Sequence, residues 1–123
     1  MSSRPVPSMQ PLNAVVLCGR LSSAPLERQL PSGSTLWSLE VSTEVAEGTL
    51  SVPVAWFDPP NAPTFEAGDE IVVVGTVRRR FFRTAAGTQS RTEVLAAEVA
   101  GVRSRRKVQR ALQVLVTTLG AFG

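Results

Sequence analysis

Apolar and polar residues alternate with a period of two along much of this chain, which predicts strands rather than helices. Ala14 to Leu21 is an apolar run of strand length closed by Ser22 and Ser23, and Gly19 within it marks a bulge or a bend where a barrel turns. The turn signal Pro31-Ser32-Gly33-Ser34 then precedes an alternating run, Leu36 to Thr43, a pattern that reads as a hairpin. In that run Trp37, Leu39 and Val41 share one face and Ser38, Glu40 and Ser42 the other. Leu50 to Phe57 predicts a third strand, with Leu50, Val52, Val54 and Trp56 opposite Ser51, Pro53, Ala55 and Phe57. Pro53 gives that strand a free side or a nearby bulge. Glu70 to Phe82 is the longest strand. It carries Ile71, Val73, Gly75, Val77, Arg79 and Phe81 on one face and Val72, Val74, Thr76, Arg78, Arg80 and Phe82 on the other. Ala85-Ala86-Gly87-Thr88 turns the chain, and Thr92 to Gly101 returns as a fifth strand. Five strands joined by short turns predict an all-β fold closed into a small barrel, which removes exposed sheet edges.

Three segments break this pattern. Residues 1 to 11, rich in Ser and Pro, read as a flexible N-terminal arm. Asp58 to Gly68 holds Pro59, Pro60 and Pro63, so it is a connection with room for one short helical turn at most. After a basic stretch at residues 103 to 110, Val108, Ala111, Leu112, Leu115, Val116 and Leu119 fall on one face of an amphipathic helix, with Ser104 as its cap and Gly120 at C′. That face is expected to dock on its own barrel or on a partner subunit rather than on a membrane surface. The domain itself spans residues 12 to 102, and residues 103 to 123 form the basic stretch and helical tail.

Composition narrows the functions. The 123 residues are 43% hydrophobic and 19% charged, which suits one folded domain. No apolar run is long enough to span a bilayer, and Met1 to Gln10 does not read as a signal peptide, so a cytoplasmic location is expected. The single Cys18 forms no internal disulfide, and the absence of histidine removes the commonest general base and zinc ligand. No catalytic residue, metal, cofactor or small-molecule substrate is therefore expected, and Gly75 and Gly87 read as bulge or turn glycines rather than a nucleotide fingerprint.

Charge is unevenly placed. Up to Gly75 there are three basic groups against eight acidic ones; thereafter there are ten against two, nine of the ten being arginine. The arginine fork suits phosphate and its plane stacks on bases. Trp56 ends the third strand, and Arg78, Arg80 and Phe82 share one face of the fourth, so aromatic rings and guanidinium groups are interleaved. Single-stranded nucleic acid offers both unpaired base faces and phosphates to such a surface. Trp37 is assigned to the core, and Phe57 and Phe81 to inner faces.

Leu12-Asn13-Ala14-Val15-Val16-Leu17-Cys18-Gly19-Arg20-Leu21 resembles the opening strand of the bacterial single-stranded DNA-binding proteins, the SSB family. Leu30-Pro31-Ser32-Gly33 is similar to that family's Pro-Asn-Gly turn. Ala67-Gly68-Asp69-Glu70-Ile71-Val72-Val73-Val74-Gly75-Thr76-Val77-Arg78-Arg79-Arg80 resembles its Lys-Gly and following strand, and residues 92 to 99 its last strand. The resemblance implies an OB-fold, a five-stranded Greek-key barrel. It implies binding of single-stranded DNA in replication, recombination or repair, a nucleoid-associated location, and a homo-oligomer, with a tetramer favoured over a dimer. Trp56 and Phe82 match family aromatics that stack on bases, and Arg78 and Arg80 match basic groove positions. The family's use of its long hairpins for wrapping adds Arg83 and Arg91, flanking the tip. Leu50-Ser51 stands where the family often has Trp-His, which implies weaker or shorter-footprint binding. Gly120-Ala121-Phe122-Gly123 lacks the family's acidic, Phe-ended tip, which marks a short paralogue with no recruitment of repair enzymes by that route. The alternative is a barrel kept as an assembly or interaction subunit with a degenerate nucleic-acid groove.

Overall fold

The computed structural model describes residues 11 to 122, the last two by their backbone alone. All of the expected N-terminal arm but Pro11 lies outside the described residues. The chain runs β1 (Val15–Leu21), β2 (Leu26–Gln29), β3 (Thr35–Val45), β4 (Gly48–Phe57), β5 (Glu70–Thr84), β6 (Gly87–Gly101) and α1 (Arg105–Phe122). Hydrogen-bonded neighbours follow the order β1-β5-β6-β4-β3, and β3 returns to β1 through Arg20 opposite Ser42 and Leu21 opposite Val41. Five strands thus close a barrel. The pairing is antiparallel throughout except where Val54 and Ala55 of β4 run parallel to Val94 and Leu95 of β6. This is the expected OB-fold, a five-stranded Greek-key barrel followed by a C-terminal helix.

The sixth strand, β2, was not foreseen. Its sequence, Leu-Glu-Arg-Gln, is exposed at all four positions and has no alternation to read; it becomes a strand by pairing outside the barrel with Leu36 to Ser38 and Thr35 of β3. The turn between them is the expected one, with Gly33 at φ 92° and Gly33 N–H donating to Leu30 O at 2.9 Å. Two-residue tips at Ala46-Glu47 and Ala85-Ala86 join β3 to β4 and β5 to β6. The β5–β6 pair runs farther than its hydrophobic pattern, to Thr84 and Gly87, because the polar residues near its tip keep their backbone ladder without burying a face.

One irregularity shapes the barrel wall. Val74 pairs with Glu98 but Gly75 pairs with Ala96, which leaves Ala97 unpaired as a bulge in β6. The extra residue shifts the side-chain alternation, so that both Val94 and Val99 join the core. Gly75 faces this bulge, and a Cβ there would collide with the Leu95 carbonyl oxygen. Gly19 meets β3 at the closing seam in the same way, where a Cβ would collide with the carbonyl of Ser42.

Inward residues of all five barrel strands make one core of Leu21, Leu39, Val41, Val54, Trp56, Ile71, Val73, Val94 and Val99. Trp37 packs against it, as expected, and Phe65 does so from the loop between β4 and β5, which holds no helix. A second, smaller cluster lies outside the wall. There Ala111 of α1 is fully buried against Val74 and Ala100, with Val108, Val114 and Leu115 around it, so the helix docks on its own barrel. Ser104 stands at the expected cap position, its carbonyl accepting from Val108 N–H at 3.0 Å. The docked stripe is narrower than the expected apolar face and leaves Leu112, Val116 and Leu119 exposed. Gly120 is not C′: the helix continues through it to Phe122. No described helix is long and apolar enough to cross a membrane.

Gly75→Ala is expected to lower stability by about 1–3 kcal/mol, the scale of forced overpacking. Gly120→Ala, with nothing near its Cβ, leaves stability unchanged or raised. Urea unfolding of the two variants measures both.

Candidate functional site

Strict alternation decides which side chains of β4 face the core and which the outer wall. Val52, Val54 and Trp56 point inward, and Trp56 is only 9% exposed inside the main core. The expected stacking role of Trp56 is therefore corrected: it is a core residue, paired across the sheet with Trp37. The opposite face of β4 carries Pro53, Ala55 and Phe57, and these line a groove between β2, β3 and the β5–β6 pair. Phe57, expected on an inner face, is the aromatic that belongs to the site.

The hairpin geometry supplies the charges. With the tip at Ala85-Ala86, Arg78 lies opposite Glu93 and Arg80 opposite Arg91, all on the groove face. Glu93 is 5% exposed, and a buried carboxylate must be paired. Arg78 supplies the closest partners, its Nε donating to Oε2 at 2.8 Å and its Nη2 lying 2.7 Å from the same oxygen. Arg80 follows with Nε 3.4 Å from Oε2, and Arg91 Nε lies 3.9 Å from Oε1. Arg91 also donates through Nη2 to Glu40 Oε1 at 3.1 Å, while Ser51 Oγ donates to Glu40 Oε2 at 2.9 Å. Three guanidinium groups thus face two carboxylates. Their planes are held in place by this network, and two of them cover rings: the Arg78 guanidinium carbon sits 5.3 Å from the Phe57 centroid, and that of Arg80 5.2 Å from Phe82.

Of the six residues singled out from sequence, Arg78, Arg80 and Arg91 meet in one groove, and Phe82 extends the same face toward the tip at 37% exposure. Arg83 is an odd-numbered residue of β5 and lies on the reverse face of the hairpin, away from Arg78, Arg80, Phe82 and Arg91. Phe81 lies there too. Its alternation matches the inner face, as expected, but the strand has left the barrel at that point and the ring is 66% exposed. Sequence reasoning missed Phe57, Glu93, Glu40 and Arg28, the last placed at the groove by β2. A signal existed for two of them: if Trp56 joins Val54 inside, Phe57 must face out, and a turn centred on Ala85-Ala86 sets Glu93 opposite Arg78.

Trp56→Ala is expected to cost about 3–5 kcal/mol as a core truncation. Glu93→Gln is expected to cost about 1–3 kcal/mol, kept to that range because the arginines it holds reach solvent and are screened there. Chemical denaturation of both variants, with Arg80→Ala as the milder reference, checks this order. No protein-family model matches this chain, and no curated protein matches it.

Proposed function

We propose that this protein binds single-stranded DNA with little sequence preference, as a relative of the SSB family acting in replication, recombination or repair. The observation that carries the reading is the groove in which Arg78 and Arg80 lie over Phe57 and Phe82. The Phe82 ring and the guanidinium planes, that of Arg78 backed by the half-buried Phe57 ring, are stacking platforms for unpaired bases, and the same guanidinium groups, with Arg91, meet the phosphates. Duplex DNA offers the phosphates without the base faces. The OB-fold and the family-like strand motifs support the reading, and the family's habit of assembling supports a homo-oligomer, a tetramer before a dimer. The partly neutralised groove and the exposed stripe Leu112, Val116 and Leu119 favour the second reading, an assembly subunit whose groove no longer binds nucleic acid.

Both indoles belong to or pack on the core, so anisotropy of labelled oligo-dT, titrated at two salt concentrations against a duplex control, is the suitable assay. Wild-type protein is expected to bind the single strand in a salt-dependent manner. Phe82→Ala and Phe57→Ala each weaken binding by roughly 5- to 150-fold with the salt slope kept, the range of one lost stacked base. Arg80→Ala lowers the slope by about 0.7, one phosphate contact to a single strand. Absence of binding at low salt, together with self-association that Val116→Glu abolishes, establishes the assembly reading instead.

A further inference from the structure

Beyond the barrel, β5 and β6 continue as a free two-stranded ribbon in which every residue from Arg79 to Thr92 is exposed. Both of its faces meet solvent. The groove face carries Arg78, Arg80 and Phe82; the reverse face carries Arg79, Phe81 and Arg83. The same unit, an arginine two residues before a phenylalanine, is therefore present on both sides. On the reverse face the Arg79 guanidinium carbon lies 5.5 Å from the Phe81 centroid, and Arg79 Nη2 donates to Ser90 Oγ at 3.1 Å.

The two faces differ in what compensates the charge. On the groove face Arg78, Arg80 and Arg91 are all tied to carboxylates. On the reverse face the residues across the ribbon are Thr92, Ser90 and Thr88, and among the described residues neither Arg79 nor Arg83 has a carboxylate partner. Phe81 is the more exposed ring, at 66% against 37% for Phe82. Arg79, Phe81 and Arg83 follow one another at about 7 Å along one face, which puts a stacking surface between two cations that meet no carboxylate among the described residues. A neutral or acidic surface would not be drawn to such a row by both its charge and its ring; a polyanion with free base faces would.

We propose that this reverse face is a second contact for a single strand, with Phe81 stacking a base between phosphates held by Arg79 and Arg83. The inference rests on the groove reading above, since a strand reaches this face by rounding the small Ala85-Ala86 tip from the groove. Asn13 fixes where the ribbon departs: its side-chain amide donates to Val77 O at 2.7 Å and accepts from Val77 N–H at 2.8 Å, acting as one more backbone partner at the end of β1.

The test compares oligo-dT of about 6 nucleotides with one of about 30, lengths within and well beyond the roughly 4 to 16 nucleotides that one such barrel covers. Phe81→Ala is expected to leave short-strand affinity within about twofold of wild type and to weaken the long strand by roughly 5- to 150-fold. Arg79→Ala combined with Arg83→Ala lowers the long-strand salt slope by about 1.4, and the short-strand slope stays as it was. Unchanged urea midpoints establish that these exposed residues act on binding alone. If the wild type binds and Phe82→Ala weakens it, yet Phe81→Ala alters neither length or both equally, the reverse-face contact is wrong and the groove stands. If the wild type binds neither length, both readings fall. If Phe81→Ala changes the oligomeric state in sedimentation and not the affinity for long strands, the face is a protein contact and the proposal is overturned.

Discussion

An antiparallel wall built with strict alternation cannot bring Val94 and Val99 to the same side, and the core needs both. The unpaired Ala97 resolves this conflict, and Gly75 opposite it is the residue whose missing Cβ lets the Leu95 carbonyl approach. Below the bulge the outer side of β5 and β6 offers Val74 and Ala100 to receive Ala111 of α1. Above it the outer side carries Glu93, Arg91, Arg78 and Arg80. One inserted residue therefore separates the wall that holds the helix from the wall that forms the groove.

The groove is charged on both signs, and this gives it order. A carboxylate at the bottom of three guanidinium groups fixes their planes before any ligand arrives, so less rotamer freedom remains to be lost on binding. The same carboxylate weakens their pull on phosphate. The reverse face of the ribbon beyond has the opposite balance, with exposed Arg79 and Arg83 that meet no carboxylate among the described residues. Order and charge are distributed to different parts of one hairpin.

Much of this was legible in the sequence because burial writes a period of two wherever one face of a strand is covered. The five barrel strands left that trace, whereas the bulge and seam glycines and the turn at Gly33 were marked by residue type and the docked helix by its longer period. β2 left none, since Leu26 to Gln29 is exposed and owes its conformation to its neighbour. Trp56 and Phe57 illustrate a different limit. Alternation separates them onto two faces but does not say which face is inside, and the resemblance gave Trp56 a stacking role where the closed barrel puts it in the core. Glu93 was hidden for a related reason: a lone acid in a basic half reads as surface charge until the register sets it opposite Arg78.

The closing seam also has a consequence for how the chain comes to fold. β1, the first of these strands to be synthesised, pairs along most of its length with β5 and at its end with β3, so its β5 partners lie from 50 residues downstream, Glu70 for Arg20, out to Gly75 for Val15. The β3–β4 and β5–β6 hairpins, by contrast, close across two-residue tips, and α1 packs on the hairpin that immediately precedes it. Local contacts form ahead of distant ones because they cost less loop entropy. Hairpins and helix therefore assemble early, and an emerging chain carries an unpaired, apolar first strand until β5 has left the ribosome. The first strand made is the last to find its place.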